Sequence, residues 1–594
     1  QRAIALGCAT PDILVDCAIA LEKLQRHAEA LGFCQRALAQ APAHARGWQT
    51  QANLLHALKR LDEALACRDR ALALMPDAVG WSGKALTLDA LGRLEEALAC
   101  HDQAAALCPD DPSVLTHRGI TLGKMRRLEE AVSCHARATE LDPGHAKAWS
   151  NLGASLCRVK RLDAAIAAHD RAVSLSPSSA AIWLQRAAAL LASQRLAEAL
   201  ASCNAAIRLE PKSADAWRHR ALALESLGRY EDALESAEEA CAFDLGCLEA
   251  SYTLAHLLFL LNRDAEAVAW LAHKHSQHPE NETLRLSLGM EQLRNGDYAN
   301  GWINYQAYRS LSTSPCLVDE RIPLWSGRES LAGKHVLVHA EQGFGDVIQF
   351  CRLIPKLASM ECAVHFLVYP ALKQLLSRLD GCQVLTRGDL LPACDFRIPL
   401  MALPQFLLQS EQDIPCKMPY LQAKDDMPSR PYARLRIGIA CSGNPENSIN
   451  PHRSAPLAAF ERLQRHGDLF ILQNVLEPAD SAWLQCHPSL QHPTAGLTDF
   501  AGTADVLGAM DLVISVDTSI AHLAGALGKP VWILLPYASE WRWKNISSTS
   551  SPWYPTARLF RQAAQGDWEE LFCRIDQELA RFSRDGLGLQ RGAA

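Results

Sequence analysis

Along the first half of the chain, large apolar, small and turn-forming residues recur at one interval. Tryptophan or a substitute stands at Trp48, Trp81, Leu115, Trp149, Trp183 and Trp217, 34 residues apart after one step of 33. Alanine keeps phase at Ala64, Ala97, Ala131, Ala165, Ala199, Ala233 and Ala267, and a second alanine follows seven residues later from Ala71 to Ala240. Prolines at Pro42, Pro76, Pro109, Pro143, Pro177 and Pro211 close the units. An aromatic on one helix, with small residues where a second packs closely, predicts antiparallel helix pairs that share a core only by stacking. Roughly eight units fit between residues 11 and 281, and "LRLSLGMEQLRNGDYANGWINYQAYRS" predicts a further helical pair closing the array.

After "RIPLWSGRESLAGK" the period changes. Short runs rich in β-branched residues alternate with helical stretches: "HVLVH", a helix over 347–358, "AVHFLVY", another helix, and "DFRIPL". The charged, proline-containing segment 424–434 predicts a linker. A second set follows: "RIGIACS", a helix from about 455, "LFILQN", "LVISV", a helix from about 520, and "PVWILLP". Strands separated by helices imply parallel sheets, with ligands at the carboxyl ends of the strands. The expected division is 11–281 repeats, 282–330 closing helices and connector, 331–423 first α/β lobe, 435–583 second lobe, and 584–594 tail.

Composition narrows the class. Of 594 residues, 49% are hydrophobic and 21% charged, and the formal charge is −7. That balance argues against a general nucleic-acid or anionic-membrane binder. No apolar run is long enough to span a bilayer, and the first residues, interrupted by Pro11, Asp12 and Asp16, lack a signal-peptide pattern. A cytoplasmic location is expected. Among 20 cysteines no C-x-x-C pair occurs. Cys67, Cys100 and Cys134 recur at one repeat position, as buried thiols would.

Candidate chemistry gathers at two loops. In "MDLVISVDTSIAHLAGALGKPVWILLP", a strand ends at Val516 and Asp517, Thr518 and Ser519 precede a helix. Free amides at that helix start, with two hydroxyls, suit a phosphate. Asp517 is placed to orient the loop or accept from a ribose hydroxyl, and His522 lies within the first turn. In "HAEQGFGDVIQF", Asp346 is either the N-cap of helix 347–358, with Gly343 and Gly345 making the turn, or a general base; Glu341 is its substitute. On the repeats, His117, Asn151, Gln185 and His219 each follow the tryptophan position by two residues, a ladder suited to hydrogen-bonding a peptide backbone, or simply solvated polar positions. His101, His135 and His169 recur on the second helix and are expected to pack rather than bind metal, since no i, i+4 partner completes a site.

The repeat pattern resembles the tetratricopeptide repeat. "DTSIAHLAGALGKP" together with "EQGFGDVIQF" resembles glycosyltransferase family 9, the heptosyltransferase-type enzymes, and their combination with repeats is similar to bacterial protein glycosyltransferases, including those that modify flagellin. The fold implied is an α superhelix of repeats followed by an α/β GT-B fold of two Rossmann-like domains. The activity implied is inverting, metal-independent transfer of a nucleotide-activated sugar to a protein recruited by the repeats, with Asp346 or Glu341 as base. By the same resemblance, Ser442, Gly443, Asn444, Arg453, Asp517, Thr518, Ser519, His522 and Lys544 hold the donor, and no cofactor or metal is expected. "YASEWRWKN" and "SPWYPTARLFRQ" interleave aromatic and basic residues, which suits a base or sugar face or else seals an interlobe core. The loop "ENSINPH" departs from the family's more basic pattern. Two alternatives follow: a saccharide-directed heptosyltransferase-like enzyme, and a non-catalytic repeat adaptor with a degenerate transferase domain.

Overall fold

The structure, a computed structural model, describes residues 10–311, 321–424, 434–443, 453–544 and 547–591. It forms two compact units, Gln1–Ala250 and Ser251–Ala594.

In the first unit, antiparallel helix pairs follow one another from Pro11–Lys23 with His27–Gln40 to Ala214–Ser226 with Tyr230–Phe243. The shared register of tryptophan and proline has a direct cause. The indole N–H of Trp48, Trp149, Trp183 and Trp217 donates to the carbonyl of the proline six residues earlier, at 2.8–3.0 Å. Each hydrogen bond pins the first helix to the turn before it. The alanines at Ala64, Ala97, Ala131, Ala165 and Ala199 are fully buried, as are Cys67, Cys100 and Cys134 within a few per cent. His101, His135 and His169 are buried too. A Cβ added at Gly119 or Gly153 would lie 2.5–2.6 Å from the imidazole Nε2 of His135 or His169, so glycine on the first helix makes room for histidine on the second.

The boundary between units falls inside the last repeat, ahead of residue 281. Within the second unit, Leu260 of helix Leu248–Leu260 accepts a hydrogen bond from the Tyr537 hydroxyl at 3.2 Å, and the Arg294 guanidinium lies 3.6 Å from the Phe259 ring centroid. The closing pair is Glu282–Arg294 with Tyr298–Tyr305, and its Trp302 is fully buried against Phe350 and Trp541.

Two parallel sheets follow. The first contains β1 (His335–His339), β2 (Ala363–Val368), β3 (Cys382–Thr386) and β4 (Phe396–Pro399) in the order β3-β2-β1-β4. The second contains β5 (Leu435–Ala440), β6 (Gly467–Ile471), β7 (Leu512–Val516), β8 (Val531–Leu535) and β9 (Ala557–Arg561) in the order β6-β5-β7-β8-β9. The order in which successive strands are added reverses between β1 and β4 and again between β5 and β7, the points where parallel sheets open a crevice. β3 and β9 were not anticipated. Both are edge strands interrupted by polar residues, Gln383 and Thr386 in β3 and Arg558 and Arg561 in β9, so neither shows a continuous apolar run.

The helix expected over 347–358 is broken. It runs Phe344–Phe350, tightens into a 3₁₀ turn at Cys351–Leu353 and resumes at Ile354–Ala358. Pro355, without an N–H, sits in the first turn of the resumed helix. One hydrophobic cluster joins both sheets through Val338, Phe350, Ala521, Leu523, Ile533 and Trp553.

Candidate active site

A cleft of about 810 Å³ opens at the carboxyl ends of the strands of both sheets. It is lined from the first sheet by the residues after β1 (Gln342 to Asp346) and after β2 (Tyr369, Ala371), and from the second by those after β5 (Ser442, Gly443), β6 (Gln473 to Val475), β7 (Asp517 to Ser519) and β8 (Glu540 to Arg542). Met290 and Tyr305, from the closing helical pair, complete one wall.

The two sequence motifs meet here. Helix Phe344–Phe350 packs on helix Ser519–Ala526 so closely that a Cβ on Gly345 would lie 2.9 Å from His522 Cδ2. That contact explains the second glycine of "GFGD". Gly525 has a comparable reason, since a Cβ there would overlap the Tyr554 ring, and Gly528 adopts φ +69° just past the helix end. Gly525 thus admits a tyrosine, and Gly528 supplies a left-handed turn.

Asp346 is not the N-cap. Gly343 is, and Asp346 stands three residues on, within the first turn, where its carboxylate accepts from the Gly343 backbone. The helix begins earlier than its apolar pattern suggests because Gly343 and Phe344 extend it over the cleft. Asp346 keeps 17% of its side chain exposed and pairs with Arg542, which also pairs with Glu540. Burial is the largest influence on Asp346 and pushes its pKa up, Glu540 adds to that, and Arg542 opposes it.

Thr518 caps helix Ser519–Ala526: its hydroxyl accepts from Ile520 N at 3.3 Å and exchanges a 3.1 Å hydrogen bond with Ser515. Asp517 is buried, and desolvation with Glu540 nearby raises its pKa to about 6. His522 Nδ1 shares a 2.8 Å hydrogen bond with the Tyr554 hydroxyl, and its Nε2 lies 3.9 Å from Asp517. Burial and the guanidiniums of Arg542, Arg352 and Arg453 hold the imidazole neutral, its pKa well below the usual histidine value.

Ser442, Gly443 and Arg453 line the cleft; Asn444 lies outside the described residues. Sequence reasoning missed Gln473. Its amide oxygen accepts from Cys441 N at 2.6 Å and its amide nitrogen donates to Ser442 Oγ at 2.7 Å, fixing the loop after β5 from the end of β6. Its position near the end of "LFILQN", at a strand's carboxyl end, was the available signal. Arg542 was noted only as a member of an aromatic–basic run.

Two expected site residues stand elsewhere. Glu341 is not among the lining residues. Its carboxylate accepts from the Tyr308 hydroxyl at 2.8 Å and from the amides of Leu400 and Met401 at 3.0 and 2.9 Å, anchoring the turn after β4. Burial nevertheless raises its pKa to about 7. Lys544 likewise lies off the cleft lining and pairs with Glu411 at 2.6 Å. Trp541, Trp543 and Trp553 are all buried within 3%, so they seal the core between the sheets, with Trp541 also reaching the cleft.

On the repeats, the four ladder residues all sit on first helices. The Gln185 amide oxygen accepts from Ser150 of the preceding repeat, and His219 Nδ1 contacts the Asp215 carbonyl at 2.8 Å. His117 lies 6.4 Å from the His101 ring, and Asn151 is half-buried.

In paired parallel α/β sheets, the crevice at the switch points is where ligands bind. Comparison with known proteins narrows it. A family model described as tetratricopeptide repeat matches residues 117–180 and 184–246, and one described as glycosyltransferase family 9 (heptosyltransferase) matches residues 479–565. The chain is 25% identical over 327 residues to Protein FlbA of Caulobacter vibrioides, covering 48% of this chain and 53% of FlbA. It thus spans about half the length of that curated relative. Among solved structures, YrrB, described as a TPR protein with an unusual peptide-binding site, is 22% identical over 31% of this chain and 96% of its own, with a TM-score of 0.27. Yeast Tom70 is 19% identical over 42% of this chain and 55% of its own, with a TM-score of 0.34. The family matches support a glycosyltransferase that carries a protein-interaction module.

Proposed function

We propose that the chain is a protein O-glycosyltransferase of GT-B type, in which the repeats recruit a polypeptide and the cleft transfers a sugar from a nucleotide donor to a Ser or Thr hydroxyl. The observation that carries this reading is the meeting of the Gly343–Asp346 loop and the Asp517–His522 loop in one cleft, at Gly345 against His522.

In this reading the second sheet holds the donor. The amides at the start of helix Ser519–Ala526, the Ser519 hydroxyl and Arg453 meet the leaving phosphate, so its charge is stabilised without an obligatory metal. Ser442, Gly443 and the Gln473-fixed loop face the same side. His522, neutral and oriented by Tyr554, offers Nε2 as a hydrogen-bonding atom rather than a cation. Asp346 takes the proton of the acceptor hydroxyl as the anomeric carbon is attacked from the face opposite the phosphate, which gives inversion. Asp346 is favoured over Glu341 as base because Asp346 lines the cleft while both oxygens of Glu341 are held by hydrogen bonds elsewhere. Flagellin is the leading acceptor, on resemblance to repeat-bearing glycosyltransferases.

The description of the matched family as heptosyltransferase favours a second reading, a saccharide acceptor. Incubating the full chain with UDP-, GDP-, ADP- and CMP-sugars and either a flagellin subunit or a lipopolysaccharide core separates the two. Sugar added to the protein supports the first reading; sugar added only to the saccharide replaces it with the second.

A further inference from the structure

We infer that Arg542 is a positioning residue for Asp346: a guanidinium from the second sheet fixes the orientation and charge of the carboxylate that follows β1. The inference deepens the glycosyl-transfer reading and relies on it for the meaning of Asp346, though not for the contact itself.

Arg542 is held in a way that leaves it little freedom. It is the centre of a 3₁₀ turn, Trp541–Trp543, whose two indoles are buried at 3% and 0% exposure. Those rings pack into the core on either side, Trp541 against Trp302 with centroids 5.2 Å apart and Trp543 against His522 at 5.4 Å. The guanidinium then reaches the other sheet. Its Nε donates to Gln349 Oε1 at 3.1 Å, Nη2 to Asp346 and Nη1 to Glu540. Asp346 and Gln349 are three residues apart on one helix, so the planar fork grips a single helical face at two points. A lysine at 542 carries the charge and cannot span both. Gln349 is itself fully buried, which makes the grip geometric as well as electrostatic.

The groups facing Asp346 are few and can be named. From the 540–543 turn come Arg542, which stabilises the carboxylate, and Glu540, which opposes it. Glu341 precedes it on the same loop, Tyr305 comes from the closing helical pair, and Tyr369 follows β2. His522, packed at Gly345, is neutral. Arg542 is therefore the group whose removal most favours protonation of Asp346, and Glu540 the one whose removal favours ionisation.

The test reads the carboxyl itself and needs no substrate. Infrared difference titration of the full chain labelled with ¹³C-carboxyl aspartate, with D346N subtracted to assign the band, gives the Asp346 midpoint. R542Q is expected to raise that midpoint by about one pH unit or more, R542K to raise it less, and E540Q to lower it. An unchanged midpoint in R542Q, or a rise in E540Q, overturns the inference. Should R542Q fail to fold by circular dichroism, the sign of the E540Q shift decides. Midpoints that move as stated in a chain that transfers no sugar uphold the positioning and overturn the glycosyl-transfer reading; unmoved midpoints in an active chain overturn the positioning alone.

Discussion

At the scale of single residues, Gly345 links the two halves of the cleft. A Cβ there meets His522 Cδ2 at 2.9 Å, closer than side chains tolerate. G345A is expected to cost roughly 1–3 kcal/mol through overpacking and to lower transfer further by displacing His522, read by thermal melting beside an activity assay. The two acidic candidates separate in the same way. D346N should lower transfer by about 10²-fold or more, the usual scale for a lost general base, while E341Q retains most of it. A chain inactivated by E341Q and indifferent to D346N would exchange the assignments. Asp346 was legible as a chemical candidate from two glycines and an acid between a strand and a helix. Its partner was not. Arg542 lies nearly 200 residues away in "WRWKN", where the alternation reads equally well as a binding face or a sealed core, and burial of the two indoles makes it both.

At the scale of the element, the repeat helices make a pH prediction. Burial lowers the pKa of His101, His135 and His169 to about 4, whereas an unfolded histidine titrates near 6.5. A depressed folded pKa means that the unfolded state binds protons first. Stability is therefore full above about pH 6.5 and is lost as pH falls toward 4, by on the order of 3 kcal/mol per histidine. Melting of the full chain should fall steeply across that window, and H135Q should flatten the curve; a pH-independent melt down to pH 4 would contradict the burial. The turns within repeats make a second. Lys59, Arg126 and Lys160 adopt φ of +60° to +62°, where Gly92 and Gly228 stand in equivalent turns. K59G and K160G should each stabilise by about 0.5–1 kcal/mol, because a left-handed conformation strains a residue with a Cβ. The repeats were readable in sequence because one physical contact, the indole on the preceding proline's carbonyl, locks two residue types into register. Strands β3 and β9 were not, because polar residues interrupt both, Gln383 and Thr386 in one and Arg558 and Arg561 in the other, leaving no sustained apolar run.

At the scale of the whole molecule, sequence periodicity and compactness disagree about where the array ends. The pattern continues to residue 281, but Leu260 and Phe259 already contact Tyr537 and Arg294, and the compact unit begins at Ser251. Periodicity records how helices pair with their neighbours; it carries no record of which distant surface covers the last of them. A chain starting at Ser251 is thus expected to keep donor binding, seen as a thermal shift with the active nucleotide sugar, and to lose modification of a protein acceptor by at least tenfold. The central claim is that the cleft glycosylates a protein with Asp346 as base. Intact-mass spectrometry of flagellin incubated with the nucleotide-sugar panel and either wild-type chain or D346N tests it most directly. A sugar-sized mass increment with wild type that disappears with D346N is the expected result; an increment undiminished by D346N, or none with any donor, would contradict it.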